Sequence, residues 1–226
     1  MNELMTGFLD WAENADATVL LAVNGHHNTY WDTFMWLCSH RFAWIPLYLS
    51  ILYVLVRSLS WRALLLCLVA MGLVLVVTDA FNSQLLRPWV GRMRPSNLNN
   101  PLSAYVHIVD NHRGGRFGFP SSHSSNAWGL VFFITLLLRR RLLSWFLAVW
   151  AFLLCYSRLY LGVHYPGDLL AGMLLGGLSA WLFYGLYVRV SNESVPATLC
   201  HPYVPVVVGG VQLVAFLLAP LLFTVA

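Results

Sequence analysis

Three short polar segments hold the residues whose types and spacing could do chemistry. They are Arg87-Pro-Trp-Val-Gly-Arg-Met-Arg94-Pro95, Phe119-Pro120-Ser121-Ser122-His123-Ser124 and Ser157-Arg158-Leu-Tyr-Leu-Gly-Val-His164-Tyr-Pro-Gly-Asp168. In the third, proline at 166 suits the first position of a helix, so His164 is expected at the mouth of that helix and Asp168 in its first turn. A carboxylate on one imidazole nitrogen sets the tautomer and raises the basicity of the other, which makes a nucleophile or a base. In isolation such a pair is more often a structural contact plus a helix cap. In the second segment, Ser121, Ser122 and His123 open an apolar stretch. Free N–H groups and the positive dipole end make such a start an anion site, although a serine there can simply cap the helix. Arg87, Arg94 and Arg158 bring three guanidiniums to the ends of apolar stretches, where they repel one another unless an anion joins them. Phosphate matches their forked donors. One interfacial arginine is usually a lipid anchor; three beside two histidines point to an anion that is worked on.

The elements that must position these groups are membrane helices. Of the 226 residues, 59% are hydrophobic and 10% charged, and the mean hydropathy is +0.67. A soluble domain is about 45–50% apolar and about 25% charged. A chain of this length cannot hide so much apolar surface, and disorder is excluded by its abundance. Six apolar stretches stand out, at about 42–56, 63–86, 124–138, 142–157, 169–188 and 203–226. A crossing helix needs about 20 residues, so the shorter ones are expected to recruit flanking residues such as 36–41. The fold class expected is an all-α polytopic membrane bundle of about six spans, forming a single domain over 1–226. Within it, 1–41 is read as an interfacial segment, in which Phe8, Leu9, Trp11, Leu20, Leu21 and Val23 alternate with acids as an amphipathic helix ending at Asn24-Gly25. Residues 87–123 form a long polar loop, a length usually functional or disordered, and 203–226 is an additional last span. Trp44, Trp128, Trp145, Trp150 and Trp181 include candidate interfacial anchors.

Counting hairpins puts the three polar segments on one face. The other face carries Arg57, Arg62, Arg139, Arg140, Arg141 and Arg189, six arginines, against Arg41, Arg87, Arg92, Arg94, Arg113, Arg116 and Arg158, seven. Setting aside Arg87, Arg94 and Arg158 as site residues leaves four, and the run at 139–141 lies in a very short loop, where positive charge counts most. That face is expected in the cytoplasm of a bacterial inner membrane, with the site facing the periplasm. The four cysteines, Cys38, Cys67, Cys155 and Cys200, form no metal or disulfide pattern.

Taken together, the three segments resemble the three-part signature of the type 2 phosphatidic acid phosphatase superfamily of membrane lipid phosphatases. That signature is Lys, six residues, Arg-Pro; then Pro-Ser-Gly-His; then Ser-Arg, five residues, His, three residues, Asp. Here it reads Arg87, six residues, Arg94-Pro95; then Pro120-Ser121-Ser122-His123; then Ser157-Arg158, five residues, His164, three residues, Asp168. Arg87 departs from the usual lysine and Ser122 from the usual glycine, and neither change removes a reacting group. The resemblance implies that His164 attacks phosphorus to form a phosphohistidine and that Asp168 orients it. His123 would protonate the leaving oxygen and then activate water. Arg87, Arg94, Arg158, Ser121 and the Ser122 N–H would hold the phosphoryl oxygens. It implies no metal or other cofactor and no nucleic acid or obligate protein partner, only a lipid phosphate and the membrane. The candidate substrates are undecaprenyl diphosphate, favoured as a general housekeeping substrate, phosphatidic acid or phosphatidylglycerol phosphate, and lipid A phosphates.

Two other readings compete. Vanadate-dependent haloperoxidases use similar motifs but are soluble, unlike a chain with these apolar stretches. A channel with an arginine-rich vestibule leaves the His164–Asp168 pair without a use. Asp79, an acid inside the second stretch, is expected either to serve a function or to pair with Arg87. His26, His27, His40, His107 and His112 are read as solvated, and His201 as lying on the cytoplasmic side.

Overall fold

A computed structural model describes residues 3–192, 196 and 199–224, and the side chains of all of these except 3–6 and 8–10. It is all-helical. The α-helices are α1 (Glu3–Asn24), α2 (Thr29–Ser39), α3 (Ile45–Ser58), α4 (Trp61–Ala80), α5 (Arg87–Val90), α6 (Ser122–Leu138), α7 (Arg141–Tyr160), α8 (Pro166–Ser191) and α9 (Val204–Leu218). Among the described residues the extended pairing is a single antiparallel bridge, Met93 with Phe117. Two parts of the sequence reading lie outside the described residues: the side chains of Glu3, Phe8, Leu9 and Asp10, and the last two residues of the stretch 203–226.

Among the described residues, four helices are long and apolar enough to cross a membrane: Trp61–Val90, Arg141–Tyr160, Pro166–Ser191 and Val204–Leu221. A fifth crossing exists if the pair Thr29–Ser39 and Arg41–Ser58 is one span, broken by a 69° bend. The sequence suggested that residues near 36–41 simply lengthen the first span. Instead the chain bends there, because a 3-10 turn over Arg41–Trp44 leads into a helix with proline in its first turn, and proline continues no preceding helix. Gln212 of α9 donates to the carbonyl of Ala43 beside this bend. The third expected span is α6, whose 17 residues sit at the lower end of the spanning range of about 17–25. The second span runs further than expected. A π-helical turn over Phe81–Leu86 carries α4 into α5, and Gly91, with φ 65°, closes that helix in the left-handed region. Arg87 therefore sits on a helix and not in a loop.

The core of the bundle is α6, packed against α4, α7 and above all α8. Small residues decide how near α8 comes. A Cβ at Gly172 would lie 2.5 Å from the Ser121 carbonyl oxygen, and one at Gly176 2.2 Å from that of Ser125. Backbones meet this closely only where glycine lines the seam, the usual device of helix packing in lipid. The consequence reaches the polar segments, because the Ser121 N–H then donates to the Asp168 carbonyl at 3.0 Å. Trp44 and Trp150, candidate interfacial anchors by sequence, are instead fully buried and cross edge to face at 5.9 Å. Trp145 and Trp181 face outward. All four cysteines are free thiols.

The N-terminal helix docks on the same end of the bundle. Leu20 and Asn24 are fully buried. Asn24 donates to the carbonyls of Tyr160 (2.7 Å) and His107 (3.0 Å) and accepts the His107 N–H at 2.7 Å. His107, read as solvated, is in fact held: its Nε2 lies 3.0 Å from Asp32, and its ring stacks on His27 at 3.7 Å. The Tyr160 hydroxyl donates to the other Asp32 oxygen at 2.7 Å. This network joins α1, α2, α7 and the loop between α5 and α6.

Candidate active site

The turn from α7 to α8 presents His164. Gly162 has φ 67°, and a Cβ there would come within 2.2 Å of Val106, so glycine is needed both for the conformation and for the close approach. The ring of His164 is fully buried. Its Nδ1 faces the Asp168 carboxylate at 3.2 Å and its Nε2 faces the Arg94 guanidinium at 2.8 Å. Arg94 can only donate, so Nε2 carries the lone pair and Nδ1 the proton. Burial first, then the guanidiniums of Arg94, Arg158 and Arg87, hold this imidazole well below the ordinary histidine range. The ring is thus a neutral base with its free lone pair aimed at a cationic group.

Asp168 is also fully buried. Its Oδ2 accepts the Tyr165 N–H at 3.0 Å, closing a capping box at the start of α8. Arg94 is anchored by a 2.9 Å bond to the Val163 carbonyl. Burial, and then Arg87, draw it down to about 10, against the opposing pull of Asp168, which still leaves it charged at neutral pH. The segment that carries Arg94 is clamped to the one before α6: Gly118 N–H donates to Arg92 O (2.9 Å) and Arg94 N–H to Arg116 O (3.1 Å).

Ser121 caps α6, accepting the Ser124 N–H. Arg87 crosses from its own helix to donate to the Ser122 hydroxyl (2.9 Å) and the Pro120 carbonyl (3.3 Å). Arg158, on the last turn of α7, donates to the Ser39 hydroxyl and lies within electrostatic range of Arg94. His123 lies within electrostatic range of Arg158, His164 and Arg94. The structure therefore gathers all three segments at one end of the bundle. Asp168, His164 and Arg94 are in direct contact, Arg87 is tied to the start of α6, and His123 faces the cavity beneath.

That cavity, about 600 Å³, has a cationic mouth and an apolar body. Arg41, Arg87, Arg94, Ser122 and His123 line the mouth, and Leu52, Leu55, Leu68, Met71 and Phe133 the body. Its walls are drawn from α3, α4, α6 and α7. Such a shape fits an anion at one end and a hydrocarbon chain at the other. Among the described residues, no group of three or more His, Cys, Asp and Glu side chains is placed to hold a metal.

Three residues that sequence reasoning passed over complete the site. Arg92, counted only as a loop charge, lies 3.2 Å from Asp168 and 2.7 Å from Asp16 of α1, with its guanidinium 4.1 Å from the centre of the Tyr165 ring. Burial disfavours its charge, but the two carboxylates outweigh that and raise its pKa. Asp16 also accepts the Gly167 N–H at 2.9 Å. The signal for Arg92 was its place two residues before Arg94, hence on the same side of an extended segment; nothing local singles out Asp16. Gly118 is the third omission. A Cβ there would lie 2.8 Å from Asp168 Oδ2, 3.2 Å from Arg94 Cγ and 3.6 Å from His164 Nδ1. The expected pairing of Asp79 with Arg87 is not an ion pair; the two interact only at longer range.

Comparison with known proteins places the chain in a family. Residues 61–191 match the PAP2 superfamily, and the chain belongs to it: it is a PAP2 membrane lipid phosphatase. It is similar to a lipid A 4'-phosphatase of Bacteroides thetaiotaomicron, 46% identical over 78% of each chain. A lipid A 4'-phosphatase of Porphyromonas gingivalis is 26% identical over 86% of this chain and 82% of its own. The undecaprenyl-diphosphatase BcrC of Bacillus subtilis is 32% identical over 46% of this chain and 47% of its own. Among solved structures, the transmembrane PAP2 type phosphatidylglycerolphosphate phosphatase of Bacillus subtilis superposes with a TM-score of 0.57. Its identity is 25%, over 79% of this chain and 87% of that one.

Proposed function

We propose that this chain hydrolyses a phosphate monoester on an acylated sugar lipid of the lipid A type, through a phosphohistidine on His164. The observation that carries the chemistry is the buried, neutral His164, with Nδ1 on Asp168 and Nε2 facing Arg94. Nε2 attacks phosphorus, and the bond from phosphorus to the lipid oxygen breaks. His123 gives its proton to that oxygen. A water then gives a proton to His123 and attacks phosphorus, the N–P bond breaks, and inorganic phosphate leaves with His164 neutral again. Arg87, Arg94, Arg158, Ser121 and the Ser122 N–H stabilise the charge on the equatorial oxygens. The relatives named lipid A 4'-phosphatase support the substrate class, since each matches more than three quarters of the chain. Support for the undecaprenyl diphosphate favoured from sequence is thinner, because the relatives named for it match less of the chain. The test is phosphate release by purified protein from a panel of lipid A, phosphatidylglycerol phosphate, phosphatidic acid and undecaprenyl diphosphate. Lipid A is expected to have the highest kcat/KM, with activity retained in excess chelator and vanadate competing with substrate. Preference for another lipid removes the substrate reading. A divalent-ion requirement that persists after thorough chelation removes the arginine-based site.

The proposed location is a bacterial inner membrane with the site facing the periplasm, supported by the arginine run at 139–141. Cysteines introduced at Ser103 and Ser144 are expected to react with an impermeant thiol reagent from opposite sides, Ser103→Cys in intact cells. Labelling of Ser144→Cys instead places the site in the cytoplasm.

A further inference from the structure

The wall of the cavity carries two polar side chains that the phosphate chemistry does not use. Asp79 on α4 and Asn126 on α6 both line it, below the cationic mouth. Asn126 lies one helical turn past Ser122, about 6 Å further into the bundle, and Asp79 lies two turns before Arg87, about 12 Å along the helix. The Thr78 hydroxyl, next to Asp79, lies 3.0 Å from Asn126 Oδ1 and shares its single proton with the Val74 carbonyl at 2.7 Å, a contact that holds the Asn126 amide beside Asp79. Among the described residues, the Asp79 carboxylate accepts no hydrogen bond, and its charge meets that of Arg87 only at longer range. Asp79 is exposed and lines the cavity, so its carboxylate is open to a ligand there. Its place in an otherwise apolar wall makes sense if the substrate brings the donor.

We propose that Asp79 and Asn126 form a subsite that reads the polar linkage joining an acyl chain to the phosphorylated headgroup. Asp79 accepts an amide N–H or a hydroxyl, and Asn126 donates to the neighbouring carbonyl. This rests on the lipid phosphatase reading of the site and names its specificity element. The ligand class is an N-acylated or hydroxyacylated amino-sugar phosphate, whose linkage lies a few bonds from the phosphate. A polyprenyl phosphate has no donor or carbonyl at that depth, so it leaves both side chains unpaired, and sites built on hydrogen bonds discriminate strongly against such analogues.

The test compares kcat/KM on a phosphorylated N-acyl glucosamine lipid with that on a prenyl monophosphate of matched chain length, and includes p-nitrophenyl phosphate as a third substrate. In Asp79→Leu the ratio of sugar lipid to prenyl lipid is expected to fall about ten- to a hundredfold. Asp79→Asn and Asn126→Leu are expected to move it in the same direction, and they carry the test if Asp79→Leu does not fold. An unchanged ratio, or equal losses on both lipids, overturns the subsite and leaves Asp79 as a partner of Arg87. Wild-type protein that cleaves the prenyl and aryl phosphates but not the sugar lipid also overturns it, with the phosphatase reading intact. Wild-type protein inert toward all three overturns the phosphatase reading itself.

Discussion

Replacing His164 with alanine abolishes turnover, by on the order of 10⁴-fold or more, while the protein still inserts and folds. The expectation follows from the position of the ring. Asp168 holds the Nδ1 proton, and Nε2 points to the guanidinium beside which a phosphoryl group would sit. Retention of more than about a few per cent of the wild-type rate sinks the assignment. The losses should be graded along the chain of contacts behind the ring. Asp168→Asn no longer enforces the tautomer and should lose about 10²–10⁴-fold. Arg92→Gln leaves Asp168 in place but loosens it, and outer partners of this kind typically carry about 10–100-fold. Both should lower kcat with little change in KM, because neither residue is expected to touch the lipid. A pH signature separates this ring from a solvated histidine. An unfolded histidine takes a proton near about 6.5, whereas the folded ring is held well below that. Protons therefore bind the unfolded chain preferentially as pH falls. Stability is retained above about 6.5 and lost progressively below it. The melting temperature in detergent should decline on acidification, and less steeply in His164→Ala; identical slopes would show that the ring titrates alike in the folded and unfolded chain.

The parts of the site that could be read from the chain are those set by short-range geometry. His164 and Asp168 are one helical turn apart, and Ser121 and His123 flank a helix start, so spacing alone brings each pair together. Arg87, Arg94 and Arg158 come from three different segments. They meet only because glycines on α8 let it approach α6 backbone to backbone, and because Gly118 and Arg92 clamp the Arg94 segment to the one preceding α6. What the sequence could not show is contact across long separations. The Arg92–Asp16 pair joins a loop to the N-terminal helix, and on a helical wheel Asp16 looks like any acid on a polar face. The His107–Asp32–Tyr160 network failed to register for the same reason. The bend near His40 was missed because hydropathy reports how apolar a stretch is and says nothing of its axis. Trp44 and Trp150 were misplaced because a large aromatic looks alike in a buried core and at an interface.

Replacing His123 with alanine should give losses that depend on the leaving group. His123 faces the cavity mouth with Arg87 and Arg94 and lies within electrostatic range of His164, the place from which a proton reaches the departing oxygen. A lipid alkoxide is a poor leaving group and needs that proton in the transition state. A diphosphate needs it less, and a nitrophenolate hardly at all. General acid help is worth about 10²–10⁴-fold, so the variant should lose about that much on lipid monophosphates and far less in the first step with p-nitrophenyl phosphate. The second step gives an independent reading. If His123 also takes the proton from the attacking water, its loss slows breakdown of the adduct whatever the leaving group was. With an activated ester the variant should therefore release a burst of nitrophenol and accumulate phosphate on His164. The adduct should be acid-labile and alkali-stable, and visible by rapid quench with a phosphorus-labelled substrate. The double variant His123→Ala/His164→Ala should show neither burst nor label, which ties the adduct to His164. Equal losses on every leaving group with no trapped adduct would mean that His123 only helps to hold the phosphate. The proton would then have to come from another group at the mouth, and the Ser122 hydroxyl, already bonded to Arg87, would be the next to replace.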